Sequence, residues 1–163
     1  MLNNYSYIQQ LFHKIVLSSD LIKEFSFDIE KNLFFKKCEN LKDNHVFISG
    51  LARSGTTILL NAIYKSNNFA SLTYNDMPFI LAPNFWSKIN RKKTHQSSIE
   101  RAHGDGIKIS SNSPEAFEEV FWKLFCQKNK SSIIEFYNYI KLILYKNNKK
   151  RYLSKNNQNV KRL

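Results

Sequence analysis

Apolar residues recur along the first 36 positions at spacings of three and four. Ile8, Leu11, Phe12, Ile15 and Val16 form one stripe, and Leu21, Ile22, Phe25, Ile29, Leu33 and Phe34 form a second. A one-sided stripe at that period predicts amphipathic helices. Ser18, Ser19 and Asp20 interrupt it with N-cap chemistry, so two helices are expected over 4–36. Cys38 to Asn44 is a polar linker. Residues 1–44 are therefore read as a helical segment packing on one side of a sheet. The pattern then changes period. Val46-Phe47-Ile48 is a short β-prone apolar run, as a buried parallel strand requires. Thr56 and Thr57 open a helical run that reaches Lys65, and Ser66-Asn67-Asn68 closes it with turn chemistry.

Phe69 to Tyr74 reads as a second strand. Pro78 is expected in the first turn of a short helix capped by Asn75 or Asp76. Phe79 to Trp86 is apolar and broken by proline; it reads as core or as the wall of an acceptor pocket. Lys88 to Gln96 is a basic, exposed loop. Ser113-Pro114-Glu115 supplies an N-cap serine, a proline at N1 and an acid in the first turn. A helix is expected there, with Ala116, Phe117, Val120, Phe121, Leu124 and Phe125 inward and Glu118 and Glu119 in solvent. Ser131 to Asn147 is another helix. Arg151 to Ser154 is a third strand, ended by Lys155-Asn156-Asn157. Alternating strands and helices predict an α/β fold in a single domain spanning 1–163. Right-handed crossovers make the strands near 46–49, 70–74 and 151–154 parallel, with helices on both faces.

The chemistry concentrates between the first strand and its helix, in Ser49-Gly50-Leu51-Ala52-Arg53-Ser54-Gly55-Thr56-Thr57. Gly50 and Gly55 bracket a loop that must turn sharply and approach a ligand closely. Such a loop presents backbone N–H groups and the positive end of a helix dipole to an anion. Two hydroxyls and one guanidinium complete the cradle. The Gly50–Gly55 spacing matches the nucleotide P-loop, but Thr56 stands where that loop needs lysine. The cation lies inside the loop instead, at Arg53. A phosphate or sulfate site is expected here.

Polar clusters also follow the other two strands, on the side where open α/β sheets bind ligands. Asp76 is either a cap or an acceptor-side carboxylate. Lys155 and Asn156 end the third strand. Between Glu100 and Ile107, two glycines alternate with His103 and Asp105. His103 is the titratable candidate for a general base, set against the ordinary fate of a turn histidine as hydrogen-bonded surface. Asp105 is the second candidate in that stretch.

Net charge is +12, which fits an anionic cofactor or substrate. The excess is spread among lysines and asparagines along the whole chain, as a compositional bias would spread it. There is no dense arginine block, and aromatics do not interleave with basic residues; both features argue against nucleic acid. Two cysteines, Cys38 and Cys126, have no metal-ligand spacing and read as free thiols of a reducing compartment. No run approaches the ~20 apolar residues of a membrane span, and the N-terminus lacks a signal pattern. A cytoplasmic protein is expected.

The loop resembles the phosphosulfate-binding loop of sulfotransferases, which commonly reads Pro-(Arg/Lys)-Ser-Gly-Thr-Thr; Ala52 replaces the proline. Ser71 to Phe79, Glu100 to Ile107, Ser113 to Trp122 and Arg151 to Asn157 resemble, in the same order, blocks of one bacterial sulfotransferase subfamily. The resemblance covers nearly all of 45–163. It implies a P-loop-related fold and the donor 3′-phosphoadenosine-5′-phosphosulfate (PAPS), with no metal. The implied acceptor is a hydroxyl or amine on a small molecule, with a carbohydrate favoured. Carried over, Arg53 contacts the transferred sulfuryl group, and Ser54, Gly55, Thr56 and Thr57 hold the 5′-phosphate. Asp76 takes the acidic acceptor-site position, and either His103 or Asp76 is expected to remove the acceptor proton. The family's later Arg-Asp-Pro segment, which holds the 3′-phosphate, has no counterpart here. The chain is therefore expected to correspond to the N-terminal part of such an enzyme, without turnover of its own. Two alternatives stand beside this reading. One is a small-molecule kinase, which Thr56 counts against; the other is a non-catalytic remnant that binds an anion or a partner.

Overall fold

The structure, a computed structural model, describes residues 16, 18–40, 44–51, 53–90, 99–100, 108–125 and 132–159. Its helices are α1 (Asp20–Phe34), α2 (Thr56–Tyr64), α3 (Pro83–Ile89), α4 (Glu119–Phe125) and α5 (Ser132–Asn147). Its strands are β1 (Val46–Ile48), β2 (Ile99–Glu100), β3 (Lys108–Ile109) and β4 (Leu153–Lys155).

Ser19 starts α1 as expected: its Oγ accepts from the Ile22 N–H at 3.4 Å, and Asp20 sits favourably in the first turn. The buried face differs from the predicted stripe. Phe27, Glu30 and Phe34 point inward, while Leu21 and Phe25 are exposed. Phe27 sets the rotation, because its ring packs edge-on against Phe121 and Tyr139.

The sheet begins with β1 and β4, parallel, with Val46 beside Leu153 and Ile48 beside Lys155. Ala70 joins β4 on its other side through a single parallel bridge to Tyr152. The Ala70 N–H donates to the Arg151 carbonyl, and the Leu153 N–H donates to the Ala70 carbonyl, both at 2.8 Å. The last segment in sequence thus lies between the first and the second. All three run parallel, as expected, but within this sheet the predicted strand over 70–74 shrinks to one bridging residue, Ala70. Thr73 is the reason. It opens a 3₁₀ turn over Tyr74–Asp76 and closes a capping box with Asp76, and a chain curled into that box cannot extend as a strand. Thr73, rather than Asn75 or Asp76, is the cap, and Pro78 falls after the turn. The next helix, α3, has Pro83 in its first turn.

Ser113 does not start a helix. Its Oγ accepts from the Ser110 N–H at 2.9 Å and closes a turn. Pro114 bridges Thr73 antiparallel, and the Glu115 N–H donates to the Leu72 carbonyl at 3.2 Å. The local helix signal loses to the backbone groups of 72–73, which need partners. α4 begins only at Glu119. Glu118 is buried rather than solvated, and accepts from the Tyr152 hydroxyl at 3.0 Å. β2 and β3 pair antiparallel, Ile99 beside Ile109. α5 ends as Asn147-Asn148 predicts. Asn148 takes φ +49°, and the Lys149 N–H reaches back to the Leu144 carbonyl at 3.1 Å, a helix stop that asparagine tolerates better than most residues.

Strand alternation gives the sheet two apolar faces. Phe47 and Tyr152 pack into an aromatic core with Phe27, Phe121, Trp122, Phe136 and Tyr139 from α1, α4 and α5. Val46, Ile48 and Leu153 pack on the other face against Phe69 and against Leu60, Ile63 and Tyr64 of α2. The molecule is thus a mixed helix–strand fold with a small parallel sheet between helices. Among the described residues no helix is long and apolar enough to cross a membrane.

Candidate anion-binding site

The loop after β1 leaves the sheet at its C-terminal edge. The Ile48 carbonyl accepts from the Asn156 N–H at 3.0 Å, and Ser49 Oγ donates to the Asn157 carbonyl at 3.2 Å. The ends of β1 and β4 are therefore tied together where the loop departs. A Cβ on Gly50 would lie 2.8 Å from Ser54 Oγ and 2.9 Å from Thr56 Cγ2, so a side chain there would require the Ser54 and Thr56 side chains to shift. The chain then doubles back. Ser54 N–H and Oγ both donate to the Leu51 carbonyl, at 3.2 and 2.7 Å. Arg53 (φ +64°) and Gly55 (φ +79°) are left-handed, and this sharp reversal aims α2 away from the loop. Gly55 is the N-cap and brings no side-chain cap. The first-turn N–H groups of α2 have no intrahelical acceptor and carry the dipole's positive end.

Around that helix start, Arg53, Ser54 and Gly55 are exposed, while Thr56 and Thr57 are half-buried. The Ser54 hydroxyl is turned inward to Leu51. Thr57 Oγ1 accepts from Lys155 Nζ at 3.1 Å. Lys155 Nζ also lies 3.5 Å from Glu115 Oε1, and that oxygen accepts from the Ala116 N–H at 3.1 Å. The Lys155 and Glu115 side chains are only 13% and 12% exposed. The structure thus assembles a helix start, an exposed guanidinium, threonine hydroxyls and a mostly buried ammonium. Such a group stabilises negative charge on a phosphate or sulfuryl oxygen.

The structure brings Gly50, Arg53, Ser54, Gly55, Thr56 and Thr57 into one loop and adds Lys155 and Glu115 to it. Asp76 belongs to a different group. It is 1% exposed; its Oδ2 accepts from the Thr73 N–H at 2.8 Å and from Thr73 Oγ1 at 3.1 Å, and its Oδ1 pairs with Lys146. Asp76 is thus the third-position partner of the Thr73 capping box, not the N-cap of a helix over Pro78. His103 and Asp105 lie outside the described residues, as does Ala52.

Sequence reasoning put Lys155 on the ligand side of the sheet without giving it a role. The missing signal was strand parity. Leu153 and Lys155 share a face, and Leu153 packs with Leu60 of α2, so Lys155 is directed to the first turn of that helix. Glu115 was assigned to the first turn of a helix that starts four residues later. Compared with protein-family models, with curated proteins and with solved structures, the chain matches none.

Proposed function

We propose that Gly50–Thr57 binds the 5′-phosphosulfate end of PAPS, and that the protein serves sulfuryl transfer to a hydroxyl or amine acceptor, with a carbohydrate as the favoured class. One observation carries this reading beyond the loop's sequence: the Lys155–Thr57 contact brings a cation onto the first turn of α2, beside a loop that carries the exposed Arg53. In the transfer, the acceptor oxygen attacks sulfur and the bond to the 5′-phosphate oxygen breaks. Arg53 meets the sulfuryl oxygens. Lys155 and the α2 N–H groups take the charge that grows on the leaving phosphate. These groups supply the positive charge the step needs without a metal. The Asp76 carboxylate is engaged by Thr73 and Lys146, which favours His103 over Asp76 as the proposed acceptor of the proton. The reading sets the reaction in the cytoplasm, where the free Cys38 thiol stays reduced.

Calorimetric titration with adenosine 3′,5′-bisphosphate and with ATP–Mg²⁺ tests it. Tighter binding of the bisphosphate is expected. Tighter binding of ATP–Mg²⁺ would replace sulfuryl transfer with phosphoryl transfer.

A further inference from the structure

The Lys155 ammonium is shared between two oxygens of different standing. Thr57 Oγ1, at 3.1 Å, is a neutral hydroxyl in the first turn of α2. Glu115 Oε1, at 3.5 Å, is a carboxylate, and that distance is well beyond the 2.7–2.9 Å typical of a charge-assisted bond. Lone charges as enclosed as these are costly, so each stabilises the other. The partners differ in freedom. Glu115 is held through its own N–H on the Leu72 carbonyl and through the Ala116 N–H on Oε1. Lys155 reaches the site on a flexible four-carbon stem.

We infer that Glu115 is a built-in competitor for the anion at the Gly50–Thr57 loop: it holds the Lys155 ammonium when the loop is empty and yields it when an anion arrives. The inference rests on the anion-binding reading of the loop and adds a regulation of its affinity. An anion at the helix start offers Lys155 a second opposite charge, next to the hydroxyl it already touches. Binding then swaps one ion pair for another, so the net gain is smaller than the contact alone would give. The fixed carboxylate also repels the incoming anion. The site is thereby tuned to bind and release, as a donor site must when its spent product has to leave.

The test is calorimetric titration of the full chain with adenosine 3′,5′-bisphosphate, in wild type, Glu115→Gln, Lys155→Met and the double variant. Gln keeps an oxygen for the Ala116 N–H and removes the charge. Glu115→Gln should bind about three- to tenfold more tightly, the scale of losing one nearby like charge and freeing one partner. Lys155→Met should bind more weakly, and the gain from Glu115→Gln should shrink in its background. A merely structural Glu115 would weaken binding or leave it unchanged when neutralised. Unchanged or weaker binding in a folded Glu115→Gln protein therefore overturns the competition while leaving the loop site standing. Glu115→Ala serves if the Gln variant fails to fold, with the same expected gain. Absence of binding to wild type and all variants overturns the loop reading itself, and the competition with it.

Discussion

Gly50 and Ser54 are packed so closely that a Cβ on Gly50 would stand 2.8 Å from Ser54 Oγ. Real Cβ atoms do not approach that near, so a side chain at position 50 would require the Ser54 and Thr56 side chains to move. The second loop glycine is constrained differently. Gly55 has φ +79° and nothing within 4 Å of the corresponding Cβ position. One glycine is needed for space and the other for its backbone angle.

Gly50→Ala should therefore displace the Ser54 and Thr56 side chains and weaken binding of adenosine 3′,5′-bisphosphate. Gly55→Ala should cost about 1 kcal/mol of stability from the left-handed angle with a smaller loss of affinity. Urea denaturation and calorimetry on both variants check the contrast. Equal affinity loss in the two would refute the division of labour.

Arg53 is a non-glycine residue at φ +64°, and its side chain is exposed. Strain of this kind is commonly retained where the side chain has work to do. Asparagine adopts the left-handed region more readily. Arg53→Asn should hold or slightly raise stability, by up to about 1 kcal/mol. If the guanidinium meets the sulfuryl oxygens, the variant should lose far more affinity for PAPS than for adenosine 3′,5′-bisphosphate, which lacks that group. Parallel losses for the two ligands would move Arg53 to the phosphate.

What was legible in the sequence was local. The Gly50–Gly55 spacing, the Ser19 cap, the α5 span and the Asn148 stop each depend on residues within a few positions of one another, and each appears in the structure. What was not legible depends on distant partners. Thr73 ends the second strand because Asp76 closes a box on it, and Lys146 from α5 completes that carboxylate's set of partners. Glu118 is buried because the Tyr152 hydroxyl, from another element, reaches it. Pro114 and Glu115 leave their helix signal to pair with 72–73. At the site, the loop could be read from spacing alone, but the Lys155–Thr57 contact required knowing that β4 lies directly beside β1.

Asp76 is held by Thr73 on one oxygen and by Lys146 on the other. Asp76→Ala would open the capping box and strand the Lys146 ammonium, whose side chain is 17% exposed. Breaking a buried pair by removing one partner typically costs about 3–5 kcal/mol. A loss of that size in the unfolding free energy measured by urea denaturation is expected. A variant with unchanged stability would return Asp76 to the list of acceptor-side residues.

Cys38 has its thiol pushed up from 9.0 to about 11, chiefly by burial and secondarily by the Glu30 charge. Only the thiolate reacts with alkylating agents. At neutral pH a rise of this size lowers the thiolate fraction about a hundredfold. In a Cys126→Ser background, iodoacetamide should modify Cys38 about two orders of magnitude more slowly than an unfolded control. A rate near the control would show that the thiol is not held in its buried setting.

Glu30 gives the last prediction, because its carboxylate caps a helix from outside. Oε1 accepts from the Asn84 N–H at 2.8 Å and from Asn84 Nδ2 at 2.6 Å, and Oε2 accepts from the Phe85 N–H at 2.9 Å. These are the opening donors of α3, and a negative group suits that end. Yet Glu30 is fully buried, and burial outweighs the hydrogen bonds and lifts its pKa above 4.5. The folded protein therefore binds this proton more tightly than the unfolded chain does. Stability from the group is fully present below about 4.5 and is lost as pH rises through the folded value. Glu30→Gln removes the titration. It also sets an amide N–H against a backbone donor, which costs about 1–3 kcal/mol. Wild type should thus be the more stable protein at pH 4.5, with its advantage over Glu30→Gln narrowing as pH increases. Urea midpoints for the two proteins between pH 4.5 and 7.5 decide the matter. A constant or widening advantage would mean that the hydrogen bonds, not burial, dominate the Glu30 carboxyl.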